Sequence, residues 1–207
     1  MNKLEVIGVA IPTMSGWSRS DIQIHDDFLS RRSQETLLAF LKASGWSFGA
    51  YSDPAPDASR YWFKHFAGYA ADGREQRDAD EIERELERNA PILSRMWVVI
   101  RAKVLKGHRL ARCYVNGYPY GAEGGLHFDS NVASHYTALY YPHLHWSPNY
   151  SGETVFFNDE GTDIIESVYP RPNRLVVFPG VIPHVARGVS RSCPDLRMTL
   201  MFKTTGS

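Results

Sequence analysis

Gly124-Gly125-Leu126-His127-Phe128-Asp129 is the stretch on which the reading of this chain turns, together with His184 far downstream. In extended backbone successive side chains point to opposite faces, so His127 and Asp129, two apart, project together. One imidazole nitrogen and one carboxylate oxygen then converge. A second histidine from a distant strand would complete two nitrogens and one oxygen on one side of a metal, a donor set that suits a non-haem ferrous ion with open positions. His184 is the candidate third ligand.

A lone His-x-Asp carries little weight, so the surroundings decide. Downstream come Thr137-Ala-Leu-Tyr-Tyr141, Ser151-Gly-Glu-Thr-Val-Phe-Phe157, Arg174-Leu-Val-Val-Phe-Pro-Gly180, Ile182-Pro-His184 and Leu196-Arg-Met-Thr-Leu-Met-Phe202. These are short apolar runs punctuated by Gly, Pro and Asn, the pattern of a compact antiparallel sheet pair or barrel.

His127-x-Asp129, the Ser-Gly-Glu-Thr-x-Phe-Phe segment, the Pro-His184 after an apolar strand and Arg197-x-Thr199 beyond it together resemble the iron(II)/2-oxoglutarate-dependent dioxygenases of the prolyl-4-hydroxylase-like branch. The resemblance covers about residues 95–203. It implies a mainly β fold, a double-stranded β-helix (jelly roll, cupin-like) with flanking helices. It also implies Fe(II) held by His127, Asp129 and His184, with 2-oxoglutarate and dioxygen as cosubstrates. The activity implied is hydroxylation of a C–H bond of a small molecule or a peptidyl side chain, with release of succinate and carbon dioxide. Asp129 favours oxygenation over halogenation, because halogenating relatives lack that carboxylate. A longer loop between Tyr114 and His127 departs from the closest prolyl-hydroxylase pattern, where substrate choice is made.

The far carboxylate of 2-oxoglutarate needs a fixed cation, and the planar fork of an arginine matches a carboxylate with two parallel hydrogen bonds. Arg197 is the residue expected there, on a strand made apolar on both sides by Leu196, Met198, Leu200 and Met201. Thr199 shares its face and can add a hydroxyl. Tyr141, on a face with Thr137 and Leu139, resembles a family tyrosine that reaches the cosubstrate. Tyr114 resembles a cofactor-facing tyrosine, with a core tyrosine as the competing reading. Arg187 and Arg191 are the fallback cations. Among other histidines, His135, His143 and His145 read as structural or substrate-lining, and His65 and His108 have no partner pattern. Glu153 lacks a histidine two residues away.

The 207 residues fit a single domain, 1–207, with helical support over about 1–106 and a catalytic β core over about 107–205. Twenty-three basic and twenty-three acidic side chains balance, so nothing points to nucleic acid or an anionic membrane. Cys113 and Cys193 are too few for a disulfide framework. No signal-like or membrane-spanning stretch is present, and the expectation is a soluble cytoplasmic protein. Upstream, residues 1–8 look β-like and 53–57 form a breaker cluster. A helix is expected from Ser33 through Leu37, Leu38, Phe40 and Leu41, ending at Gly45. Tyr61-Trp-Phe-Lys-His-Phe66 reads as a strand or a substrate entrance. The charged run from Asp78 is a solvated helical face, and Pro91 starts a second helix burying Ile92, Met96, Val99, Ile100 and Leu105. A non-catalytic cupin-like metal- or ligand-binding sensor is the alternative function, and a zinc hydrolase a third.

Overall fold

Strict alternation along three strands separates two apolar layers. In β5 (Tyr136–Tyr141), β8 (Arg174–Pro179) and β10 (Arg197–Thr205), the residues Ala138, Tyr140, Leu175, Val177, Met198, Leu200 and Phe202 pack into one core with the helices. Their neighbours Leu139, Tyr141, Val176, Phe178 and Met201 pack into a second core with Phe156, Val168 and Ile182. A strand covered on both faces reads as an apolar run, which is why these segments stood out in the sequence. The computed structural model describes residues 16–52, 59–69 and 78–206; the expectations for 1–8 and 53–57 lie outside them.

The seven-stranded sheet runs in the order β1-β8-β5-β10-β4-β3-β2, where β1 is Gln23–His25, β2 Ser47–Ala50, β3 Tyr61–Ala67 and β4 Arg109–Tyr118. A three-stranded sheet, β7-β6-β9, faces it and comprises β6 (Thr154–Phe157), β7 (Ile164–Val168) and β9 (His184–Ala186). Every strand pair is antiparallel. This is the double-stranded β-helix expected from the sequence. The segment before residue 107 supplies β1, β2 and β3 as well as helices, so it extends the major sheet at both edges.

Helices α1 (Arg31–Lys42), α2 (Ala79–Asn89) and α3 (Pro91–Lys103) cover the outer face of the major sheet. Helix α1 starts before Ser33 because Ser30 caps it, its hydroxyl accepting the Ser33 N–H at 3.3 Å. Pro91 occupies the first turn of α3 as predicted. The buried stripe of α3 is Leu93, Met96, Trp97 and Ile100, whereas Ile92 and Val99 are half-buried. Met96, Ile100 and Leu105 are buried as expected, and Ile92 and Val99 sit at the margin although they are as apolar as the residues that won. Trp97 decides it, stacking on Phe202 with ring centroids 6.2 Å apart and donating its indole N–H to Glu83.

Candidate active site

The two histidines meet because their backbones pair. His127 lies outside any strand, contrary to the extended-strand reading, and forms a single antiparallel bridge with His184, the first residue of β9. Each donates its N–H to the other's carbonyl, at 3.1 and 3.0 Å. Directly opposed residues of an antiparallel pair point to the same side. The imidazoles accordingly converge with centroids 4.4 Å apart. Two residues on, the Asp129 N–H is fixed to the Gly180 carbonyl at 2.8 Å, and its carboxylate comes to the same side. Asp129 Oδ1 lies 3.5 Å from His127 Nε2 and Oδ2 lies 3.5 Å from His184 Nε2. One ligand atom from each residue lies within 4.8 Å of the others.

Each imidazole is set for a metal by its own backbone. His127 Nδ1 donates to the Gly125 carbonyl at 2.8 Å, and His184 Nδ1 to the Ile182 carbonyl at 2.9 Å. A carbonyl only accepts, so Nδ1 carries the proton and the Nε2 lone pairs face one another across the site. His184 is buried between Phe156 and Phe178, 5.7 and 4.9 Å away, and burial pushes its pKa down to about 3, so the ring is neutral. Burial alone would raise the Asp129 carboxyl. The Lys203 ammonium reverses this and holds it well below the usual carboxylate range. Asp129 Oδ2 also accepts the Thr137 hydroxyl at 2.6 Å and the Lys203 ammonium. Two imidazole nitrogens and one carboxylate form a donor set that can hold a divalent non-haem metal with one side open.

Arg197 is fully buried at the other end of the same cavity, a space of about 180 Å³. Its Nε donates to the Gly152 carbonyl and its Nη2 to Thr154 Oγ1 at 2.8 Å. Gly152 sits at φ +88°, and a Cβ there would meet Arg197 Cδ at 3.0 Å, so glycine lets the backbone reach the guanidinium. Nη1 is buried without a partner. A fully buried arginine with two arms tied and one donor left over has the chemistry to hold an anion. Thr199, two residues on, lines the same cavity, as does Tyr114. Tyr141 stands behind the arginine, its hydroxyl 2.7 Å from Thr154 Oγ1.

Several contributors escaped the sequence reading. Gly152, Thr154 and Phe156 alternate along one face and serve the arginine and His184, a period of two within the quoted Ser-Gly-Glu-Thr-Val-Phe-Phe run that was visible in hindsight. Thr137 and Lys203 secure Asp129. Arg112 and Asn116 line the cavity from β4. The run around Tyr61 forms β3, which pairs with β4, and Tyr61, Phe63 and His65 line the cavity. His143 is structural, its Nε2 accepting the Met198 N–H at 3.0 Å, and burial drives its pKa to about 3. His135 lines an adjoining cavity, His145 is exposed, and so are Arg187 and Arg191.

In architecture the protein is a double-stranded β-helix whose inner cavity joins a His/Asp/His cluster to a buried arginine. No protein-family model matches the chain, and no curated protein matches it in sequence. Solved structures match it in fold. A prolyl-4-hydroxylase from Pseudomonas putida is 18% identical with TM-score 0.59, the alignment covering 90% of this chain and 93% of that one. A prolyl hydroxylase from Trichoplax adhaerens, solved with a hypoxia inducible factor oxygen degradation domain peptide fragment, is 15% identical with TM-score 0.58, covering 90% and 84%. The non-haem α-ketoglutarate-dependent epimerase of nogalamycin biosynthesis is 11% identical with TM-score 0.57, covering 90% and 78%. The double-stranded β-helix is thus a fold this chain shares with prolyl hydroxylases and an α-ketoglutarate-dependent epimerase. Among the described residues no helix is long and apolar enough to cross a membrane.

Proposed function

We propose that this protein is an Fe(II)- and 2-oxoglutarate-dependent dioxygenase that hydroxylates a C–H bond of a small molecule or a peptidyl side chain. Dioxygen would supply one oxygen atom to the substrate and one to succinate, with carbon dioxide released. The observation that carries this reading is the partnerless Arg197 Nη1 in the same cavity as the triad. A module that binds only a metal has no need of that buried cation, and turnover separates the enzyme from a sensor of an anionic ligand.

The ferrous ion and 2-oxoglutarate would supply the oxidising chemistry; the chain supplies position and dryness. His127, Asp129 and His184 are the residues we assign to the metal, and Arg197, assisted by Thr199, to the far carboxylate. Thr154 and Gly152 fix the orientation of the guanidinium, and Tyr141 holds Thr154 from behind. Phe156 and Phe178 fix the His184 ring and keep water from its rear.

Anaerobic addition of Fe(II) and 2-oxoglutarate is expected to produce a weak visible absorption band, abolished in His127→Ala, Asp129→Ala and His184→Ala. Succinate formation from 2-oxoglutarate is expected to depend on both iron and oxygen. A well-loaded protein with no band and no succinate, coupled or uncoupled, sinks the assignment in favour of the sensor. Dependence on zinc without oxygen would favour a hydrolase.

A further inference from the structure

We infer that the substrate, on the dioxygenase reading just given, carries a carboxylate that is held by Arg112. Arg112 and Lys203 are opposite each other in the β4–β10 register, and Lys203 is the ammonium on Asp129. Arg112 therefore stands one strand from the triad. It lines the triad cavity and also an adjoining cavity of about 650 Å³, which shares Arg112, Tyr114 and Asp129 as walls. The larger space provides room for a second molecule beside the cosubstrate.

The charges in these cavities do not balance. Asp129 is the one acid among the described residues lining either space, and Lys203 already pairs with it. Arg197 is matched by the far carboxylate of the cosubstrate. Arg112 has no acidic partner among the described residues. Its polar contacts run from Nη2 to the His65 ring, 3.1 Å from Nε2 and 3.5 Å from Nδ1, and its Nε is buried with no partner at all. His65 brings no compensating charge, since burial and then the Arg112 cation lower its pKa to about 4. The guanidinium instead lies over the Tyr114 ring, 4.6 Å from its centroid, a setting that holds the planar fork in one orientation.

A guanidinium that lines a cavity and has no acidic partner can take a carboxylate by paired hydrogen bonds. One uncompensated positive charge matches a monoanion better than a phosphate dianion. The reacting C–H bond would then lie between this anchor and the open side of the triad.

The test uses the anaerobic protein saturated with Fe(II) and 2-oxoglutarate. It is titrated with N-acetyl amino acids of the twenty side chains and with simple aliphatic and aromatic monocarboxylic acids, each beside its neutral amide. Perturbation of the visible band reports binding at the metal without turnover. At least one acid is expected to bind roughly ten- to a hundredfold more tightly than its amide, the worth of a charge-assisted hydrogen bond. Arg112→Gln should bring that acid to the level of the amide, and Arg112→Lys should fall between. The inference is overturned if acid and amide bind alike, if no acid perturbs the band, or if folded Arg112→Gln binds the acid as the parent does. It is also overturned if added 2-oxoglutarate displaces the acid, which would put the acid on Arg197. A band missing before any acid is added defeats the dioxygenase reading itself, a failure distinct from these.

Discussion

Arg197 Nη1 is a donor sealed from water with nothing to donate to, and such a group costs stability unless a ligand satisfies it. A hydrogen bond to a charged partner contributes about 1.5–3 kcal/mol. Arg197→Ala should therefore weaken 2-oxoglutarate binding by roughly one to two powers of ten, with iron affinity little changed. Arg197→Lys should be intermediate, retaining charge and losing the paired geometry. Isothermal titration of the iron-loaded variants checks this; unchanged affinity in the alanine variant would remove Arg197 from the cosubstrate site. Thr137 supports a second prediction. Its hydroxyl orients Asp129 from 2.6 Å, and removing such a partner typically costs about 10–100-fold in metal affinity. Thr137→Val should show that loss in a Mn(II) titration, and a variant that binds Mn(II) like the parent would mean Asp129 is held well enough by Lys203 and its backbone.

At the scale of elements, helix α2 rests on one cap. The Asp78 carboxylate accepts the N–H groups of Asp80 and Glu81 at 2.6 and 3.2 Å. Asp78→Ala should cost about 0.5–2 kcal/mol of unfolding free energy in urea; no change would mean that packing of Ile82 and Leu86 alone holds the helix. Strand β1 is fastened beside Asp26, whose carboxylate takes Arg174 Nε at 2.7 Å and Nη2 at 3.1 Å, with Arg171 nearby. The Arg174 hydrogen bonds hold its pKa below the ordinary 3.8. A depressed folded pKa means the contribution is full above the ordinary value and is lost as pH falls through the folded one. The pair is partly exposed, so Asp26→Asn should cost only about 1 kcal/mol at pH 7. The gap from the parent should close as pH drops below 3.8, and an equal gap at pH 7 and in strong acid would remove Asp26 as its source. These elements also mark what could be read in advance. β5, β8 and β10 were legible because burial on both faces makes them apolar runs. The His127 bridge was not, because one backbone pair leaves no periodic trace. Lys203 and Arg112 were not legible either, because only the β4–β10 register brings them together.

For the whole molecule, the triad lies between the two sheets. His184 belongs to the minor sheet, while Asp129 is tied to Thr137 of β5 and Lys203 of β10 in the major one. A metal held by all three would cross-link the layers, and 2-oxoglutarate would add Arg197 of β10 to the same junction. Ligands that bind only the folded state stabilise it by mass action, about 2.7 kcal/mol at a hundred times Kd. For a chain of 207 residues that corresponds to a Tm rise of roughly 5–10 °C. Mn(II) alone should give part of the rise and Mn(II) with 2-oxoglutarate the rest. 2-Oxoglutarate without metal should give little, because one of its two anchors is then missing. EDTA should reverse the shift, and His184→Ala should abolish it while melting cooperatively on its own. A 2-oxoglutarate shift that survives both EDTA and His184→Ala would place the acid away from the junction and separate Arg197 from the metal site.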